Sequence, residues 1–281
     1  MEIKSLENID FETLFQGFEN AFSDYEIQFK KEEIRSMLKR RGYCPKFSFG
    51  AFDNDKLVSF TLNGIGSFKN IPTAYDTGTG TIKEYRGMGI AGKIFSYSIP
   101  FLKEIGIRQY VLEVLTNNHK AINIYRQMNF EETRLFNCFR QDISKINIKR
   151  NNRYCRVSPI DIRTIKNAQS WCDFIPSWQN SIDSIERGES DLFCLGAFVD
   201  GILAGFCVID KKTGDVAQIA VAVKYRRKGI ATALLHQAIN YLETQFVKVL
   251  NISADYQPMQ AFLESMNIEL VSNQFEMSLP V

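Results

Sequence analysis

Histidine is scarce in this chain, with two residues in 281, His119 and His236. The six cysteines (Cys44, Cys138, Cys155, Cys172, Cys194, Cys207) are scattered and form no C-x-x-C pair. Zinc ligands come as closely spaced Cys and His, so a metal site is not expected. Scattered cysteines fit reduced, mostly buried thiols in a cytoplasmic protein. An excess of one charge is missing too. With 34 basic against 32 acidic residues the net charge is +2, which gives no general pull toward nucleic acid or an anionic membrane. No stretch approaches the roughly 18 apolar residues of a spanning helix, and the opening "MEIKSLENID" has no apolar run of the secretory kind. What is abundant is core material. Hydrophobic residues at 45% and aromatic residues at 12% exclude disorder, and the length suits one large domain or two ordinary ones.

The chain repeats itself. "GTGTIKEYRGMGIAGKIF" (Gly78 to Phe95) matches "QIAVAVKYRRKGIATALL" (Gln218 to Leu235), with Arg86 on Arg226, Gly89 on Gly229 and Ala91 on Ala231, each 140 residues on. Upstream, "FGAFDNDKLVSFTL" (Phe49 to Leu62) resembles "LGAFVDGILAGFCV" (Leu195 to Val208), two apolar strands about a tight turn. Downstream, "YRQMNF" (Tyr125 to Phe130) resembles "LESMNI" (Leu263 to Ile268) at an offset of 138. Two arrays in one order are an internal duplication of a domain. The join falls in "SKINIKRNNRYCR" (Ser144 to Arg156), a polar, basic stretch that reads as a solvated linker. Domains of residues 1–148 and 149–281 follow.

Each half has the same coarse order. Helices come first. "KKEEIRSMLKRRG" (Lys30 to Gly42) carries basic residues and a glycine where a helix C-terminus wants them. A hairpin and a third strand (Ala74 to Ile82; Val216 to Val223) lead to a helix at the glycine motif. Another strand (Gln109 to Leu115; Val247 to Ser253), a helix and a final strand complete the half. This is a mixed α/β domain centred on a parallel strand–helix–strand unit.

"YRGMGIAG" (Tyr85 to Gly92) contains a literal G-x-G-x-x-G in Gly87, Gly89 and Gly92. A dinucleotide fingerprint needs an acid about 20 residues on, and Glu113 lies at about that distance. The second copy argues against it: "RRKGIAT" keeps only Arg226, Gly229 and Ala231. The shared pattern is R-x-x-G-x-A at the start of an apolar helix. A helix N-terminus offers unpaired N–H groups and the positive end of its dipole to a phosphate, and Arg86, Arg226, Arg227 and Lys228 add positive charge nearby.

R-x-x-G-x-A after a strand, a strand containing "LEV", and "NHKAINIYRQMNF" (Asn118 to Phe130) together resemble the GNAT family of N-acetyltransferases, and both halves share the likeness, as in tandem-domain members. The resemblance implies two tandem acyl-CoA N-acyltransferase domains, each a mixed, mostly antiparallel sheet flanked by helices. It implies acetyl-CoA as co-substrate. The pyrophosphate would rest on Arg86, Gly87, Met88, Gly89, Ile90, Ala91 and Gly92, and on Arg226, Arg227, Lys228, Gly229, Ile230 and Ala231 in the second copy. The family's N-x-x-A-x-x-x-Y motif falls on Asn118, Ala121 and Tyr125. Pantetheine would pair with the strand at Thr81 and Ile82, and at Val221 to Val223. Two departures stand out. The strand before the first loop is polar and glycine-rich ("DTGTGT", Asp76 to Thr81), and the second half has Leu263 in place of Tyr125.

The implied reaction moves an acetyl group to a primary amine, of a small molecule on this reading, directly within a ternary complex. Tyr125 is then the general acid for the departing thiolate, with an aromatic packed on a helix flank as the plainer alternative. Asn118 either bonds pantetheine or caps the following helix. Asp76 is the candidate general base and Glu113 a weaker one; either could equally be solvated or ion-paired. Trp171 and Trp178 line an acceptor pocket or pack in the core. The competing function is a non-catalytic acyl-CoA-binding or sensing protein. The sequence leaves the acceptor amine and the oligomeric state open.

Overall fold

The computed structural model describes residues 1–24, 30–147 and 154–281. The boundary expected at 148/149 lies outside the described residues. Two compact units emerge, Met1–Thr133 with Glu276–Val281, and Arg134–Phe275.

The first unit opens with β1 (Glu2–Ser5), α1 (Phe11–Ala21) and α2 (Lys31–Arg41). Asp10 caps α1 by accepting from Thr13 N at 2.9 Å, and α2 ends on Gly42 at φ +77° after Lys39, Arg40 and Arg41, as its sequence predicts. A meander of β2 (Phe49–Asp53), β3 (Lys56–Phe68) and β4 (Ile71–Thr81) follows. Both of its turns are two-residue loops with positive φ throughout, Asn54–Asp55 and Lys69–Asn70, the twist that antiparallel hairpins favour. Then come α3 (Ile90–Glu104), β5 (Gln109–Leu115) and α4 (His119–Gln127). Strand order is β1-β2-β3-β4-β5, and only the β4–β5 pair is parallel.

The polar, glycine-rich composition of β4 has a packing cause. A Cβ on Gly80 would stand 2.7 Å from Phe60 Cζ and 2.9 Å from the Cβ of Ala21. Its absence lets α1 lie close on the strand, where Phe18 packs on Phe22 and Phe60 with ring centroids 4.5 and 5.9 Å apart. The chain's final residues complete this unit. Val281 N donates to Arg108 O at 2.9 Å, and the buried Glu276 pairs with Lys69 and accepts from Thr133 Oγ1 at 2.9 Å.

In the second unit, most of β6 (Glu131–Asp142) precedes β7 (Arg156–Pro159), α5 (Ile162–Lys166), α6 (Ile182–Arg187), β8 (Leu192–Val199), β9 (Ile202–Asp210) and β10 (Val216–Val221). Then follow α7 (Ile230–Ile239), β11 (Phe246–Ser253), α8 (Gln257–Ser265) and the first part of β12 (Glu269–Pro280). Strands run in the order β10-β9-β8-β7, all antiparallel. The β8–β9 turn again uses two positive-φ residues, Asp200 and Gly201.

One irregularity recurs in both units. The β3–β4 register slips at Thr77, and the β9–β10 register slips at Ala217, positions 140 residues apart. In each unit the slip sits where the fourth strand parts from the fifth. The parallel β4–β5 pairing ends at Tyr75↔Val111, and β10 meets β11 at the single bridge Asp215↔Lys248. A bulge bends a strand and re-aims its side chains; here it opens a wedge in the sheet.

Candidate active site

In both units the parted end of the fourth strand runs on into the glycine loop. Gly87 and Gly89 have φ of +80° and +70°, and Arg227 and Gly229 have +59° and +76°. Only glycine takes such a backbone readily, so Gly89 and Gly229 are favoured by conformation. A Cβ on Gly87 or Gly89 would meet no atom within 4 Å. The helical ladders begin with Lys93 N to Gly89 O at 3.1 Å and Ala233 N to Gly229 O at 3.0 Å. The N–H groups of Ile90, Ala91 and Gly92, and of Ile230, Ala231 and Thr232, therefore precede the first helical bond. Neither helix start carries a side-chain cap, whereas Asp10, Asn118, Asp161 and Ser181 cap α1, α4, α5 and α6. An uncapped helix N-terminus behind an open left-handed turn has the geometry to hold an anion. Met88 in this loop is 56% exposed, and its counterpart Lys228 donates to Tyr154 Oη at 2.9 Å. Gly92 also serves packing, since a Cβ there would lie 3.0 Å from Met128 Cε.

The loop arginines spend hydrogen bonds on protein. Arg86 donates from Nε to Thr81 O at 3.1 Å, from Nη2 to Ala21 O at 2.8 Å, and from both Nη atoms to Asp24 at 2.5 and 2.8 Å. Arg226 donates from Nε to Val221 O at 2.9 Å and from Nη2 to Trp171 O at 3.2 Å, and it grips Asp173 at 3.0 and 2.9 Å. The guanidinium of Arg86 holds the Asp24 carboxyl down to about 2.

Strand geometry sorts the positions expected to pair with pantetheine. Ile82 N donates to Val58 O at 3.0 Å, and the aligned Ala222 N to Ala204 O at 2.9 Å, so those amides are committed to the neighbouring strand. Antiparallel partners alternate sides. With Ser59↔Thr81 and Gly205↔Val221 in register, the backbone of Thr81 and Val221 faces the wedge instead. Val223 begins a 3-10 turn and is 72% exposed.

In the first unit the wedge brings Asp76 and Tyr125 together. Asp76 follows the last β4–β5 pair and accepts from Gly78 N at 2.9 Å and Thr79 Oγ1 at 2.8 Å. The Tyr125 phenol also hydrogen-bonds it. Burial raises the Asp76 carboxyl to about 6, against the opposing hydrogen bonds of Thr79, Gly78 and Tyr125 and the charge of Arg41. Arg41 is fixed close by, its Nη1 donating to Thr77 O at 3.0 Å. Tyr125 packs edge-on against Phe130 with centroids 5.6 Å apart. Asn118 accepts from Ala121 N at 3.2 Å, so its side-chain oxygen caps α4. Glu113 accepts from the buried Tyr75 hydroxyl, and His119 is exposed.

The second unit fills the corresponding place differently. A cavity of about 540 Å³ lies in its wedge, walled by β10, the Arg226–Thr232 loop and α8. By alignment Val216 stands for Asp76, Gln218 for Gly78, Asn251 for Glu113, Tyr256 for Asn118 and Leu263 for Tyr125. Gln218 donates to Asn180 O at 2.7 Å and accepts from Gln169 Nε2 at 3.2 Å, while Asn251 donates to Ser177 Oγ at 3.1 Å. A neutral amide, Asn251, thus stands where the first unit has Glu113, and the apolar Val216 where it has Asp76. Tyr256 donates to Asp173, and burial and that carboxylate raise its phenol to about 12. Burial likewise raises the Cys172 thiol to about 11. Trp171 lines the cavity, whereas Trp178 is a core residue, 1% exposed. Leu263 is 1% exposed against Met266 and Ile268. Leu263→Ala is expected to cost about 2–5 kcal/mol, seen as a lower urea midpoint, with no change in the chemical step.

The six cysteines are free thiols. Among the described residues no cluster of three or more His, Cys, Asp or Glu could hold a metal, and no helix is long and apolar enough to cross a membrane.

Comparison with known proteins joins the two units. The sequence profile of the acetyltransferase (GNAT) family matches residues 9–130 and again 164–267. N-alpha-acetyltransferase 30 of Schizosaccharomyces pombe is 32% identical over 87 residues, 31% of this chain and 58% of that protein. N-alpha-acetyltransferase MAK3 of Arabidopsis thaliana is 29% identical over 86 residues, 31% of this chain and 45% of that protein. The chain thus spans about half the length of these relatives. Among solved structures, a tandem GNAT protein from the clavulanic acid biosynthesis pathway superposes with a TM-score of 0.77 at 13% identity, over 99% of this chain and 98% of that one. A putative acetyltransferase from Pyrococcus horikoshii gives 0.72 at 15% identity, over 100% and 89%. The duplicated glycine loop, the wedge beside it and the doubled family match lead to one assignment: this chain belongs to the GNAT family of acetyltransferases, with two tandem domains of that fold.

Proposed function

We propose that the first unit moves an acetyl group from acetyl-CoA to a primary amine in a ternary complex, in the cytoplasm. The reading is carried by the Asp76–Tyr125 pair, set in the sheet wedge beside an uncapped helix N-terminus. In this scheme the pyrophosphate rests on the backbone amides of Gly87 to Gly92, and pantetheine extends the sheet along Thr81. Holding both reactants in register supplies the largest share of the rate. The amine nitrogen attacks the thioester carbonyl, the C–S bond breaks, and the thiolate takes a proton from Tyr125. Asp76 accepts the proton that the amine sheds. Its carboxyl, raised to about 6, is ionised at neutral pH yet basic enough to serve.

A second reading has its own support. The 540 Å³ cavity belongs to the second unit, whose aligned residues are Val216 and Leu263, so a CoA moiety held there would not be turned over. If both units behave that way, the protein is an acyl-CoA binder or sensor. A CoA-release assay with polyamines, aminoglycosides and amino acids separates the two readings. N-terminal peptides join the panel because the relatives above are named N-alpha-acetyltransferases. Acceptor-dependent thiol release supports catalysis. Stoichiometric CoA binding without release by any acceptor supports the binder.

A further inference from the structure

We infer that Arg86 and Arg226 are positioning residues, clamps that fix the phosphate loop to an incoming segment, and not cations on the phosphate. The inference rests on reading the glycine loop as the coenzyme's phosphate cradle. Each guanidinium makes the same three kinds of attachment: Nε to the last carbonyl of the fourth strand, Nη2 to a carbonyl of an earlier segment, and its fork to a carboxylate there. The strand-end carbonyls, Thr81 and Val221, are 140 residues apart, like the arginines. The other partners break that spacing. Ala21 and Trp171 differ by 150 and Asp24 and Asp173 by 149, within stretches, "AFSD" and "WCD", that share no other pattern. The two copies have therefore kept one geometry through different local sequence.

Charge and shape agree with this role. A carboxylate within 3 Å offsets each arginine's charge, which leaves a poor electrostatic ligand for a pyrophosphate. A planar fork suits bidentate gripping of a carboxylate plus two carbonyls, and lysine cannot reproduce it. Both partners of the first pair are more than a third exposed, so the ion pair adds little stability by itself. Its effect is on placement. The clamp ties the end of β4 and the chain just beyond α1 to the residue that precedes Gly87, and so sets where the cradle amides point. In the second unit Tyr256 adds a third member through Asp173.

The test compares Arg86→Lys, Asp24→Asn and the double variant by calorimetry with CoA and by amide hydrogen exchange of residues 82–92 in the CoA-free protein. A clamp predicts that Arg86→Lys fails although the charge is kept. It also predicts that Asp24→Asn weakens CoA binding in the same direction, each by about fivefold, and that the double variant is no worse than either single. Exchange of the loop amides should quicken alike in both single variants. Wild-type affinity and exchange in Arg86→Lys, or tighter CoA binding in Asp24→Asn, would overturn the clamp and return Arg86 to the phosphate. If the wild type binds no CoA in this unit, the cradle reading fails by itself, while the exchange data still decide the clamp.

Discussion

Gly89→Glu is expected to abolish CoA binding to the first unit. Three effects act together. A side chain at φ +70° costs about 1–2 kcal/mol. The new side chain occupies the open volume above the turn, where a Cβ meets nothing within 4 Å. Its carboxylate then competes for the helix-start amides and repels the pyrophosphate. Gly89→Ala isolates the first effect and should weaken binding only modestly. Calorimetry with CoA on both variants, with Gly229→Glu as the matching change in the second unit, measures all three. Full CoA affinity in Gly89→Glu would remove the first cradle. Two equal sites, both lost only in the double loop variant, would show that the second unit is not secondary.

Much of the candidate site could be proposed from the sequence because a duplication supplies its own control. The second copy discards Gly87 and Gly92 and keeps Arg, Gly and Ala, a pattern that argues against a dinucleotide fingerprint and for the proposed phosphate cradle. Hairpins and helix ends were legible for local reasons: paired turn residues, and a glycine after three basic residues at Lys39–Gly42. What stayed hidden is non-local. Nothing near residue 276 announces that Glu276 will meet Lys69 and Thr133, since side-chain contacts between residues far apart in sequence leave no periodic trace. The clamp was hidden for the same reason. Arg86 reads as a phosphate cation until Asp24, from another element, is seen to hold it. The cavity of the second unit was missed because part of its polar lining, Asn180, Gln218 and Asn251, consists of neutral amides far apart in sequence. Their one available signal was the exchange of Asp76 for Val216 and of Glu113 for Asn251 across the repeat.

Tyr125→Phe and Asp76→Asn are expected to lower kcat by about 10²–10⁴-fold, and by as little as about tenfold if water reaches the thiolate. CoA affinity should stay nearly unchanged, because the phenol proton is needed only as the C–S bond breaks. The pH dependence separates the two residues. Asp76 must be ionised to accept a proton, so kcat/KM should rise with pH through about 6, the position to which burial raises its carboxyl. Stability runs the other way. A carboxyl whose folded value lies above its ordinary 3.8 binds its proton more tightly in the folded state. Its contribution is therefore fullest at pH below 4 and is lost as pH rises through about 6. Asp76→Asn should erase the acidic limb of the rate profile and flatten the stability profile over that window, whereas Tyr125→Phe should lower the rate and keep the limb. The measurements are steady-state kinetics from about pH 5 to 8 with an accepted amine, and urea midpoints from about pH 4 to 8. Full turnover in Tyr125→Phe would end its assignment as the acid. An acidic limb that survives in Asp76→Asn would move the base elsewhere, with Glu113, held by Tyr75 on the adjacent strand, as the next residue to replace.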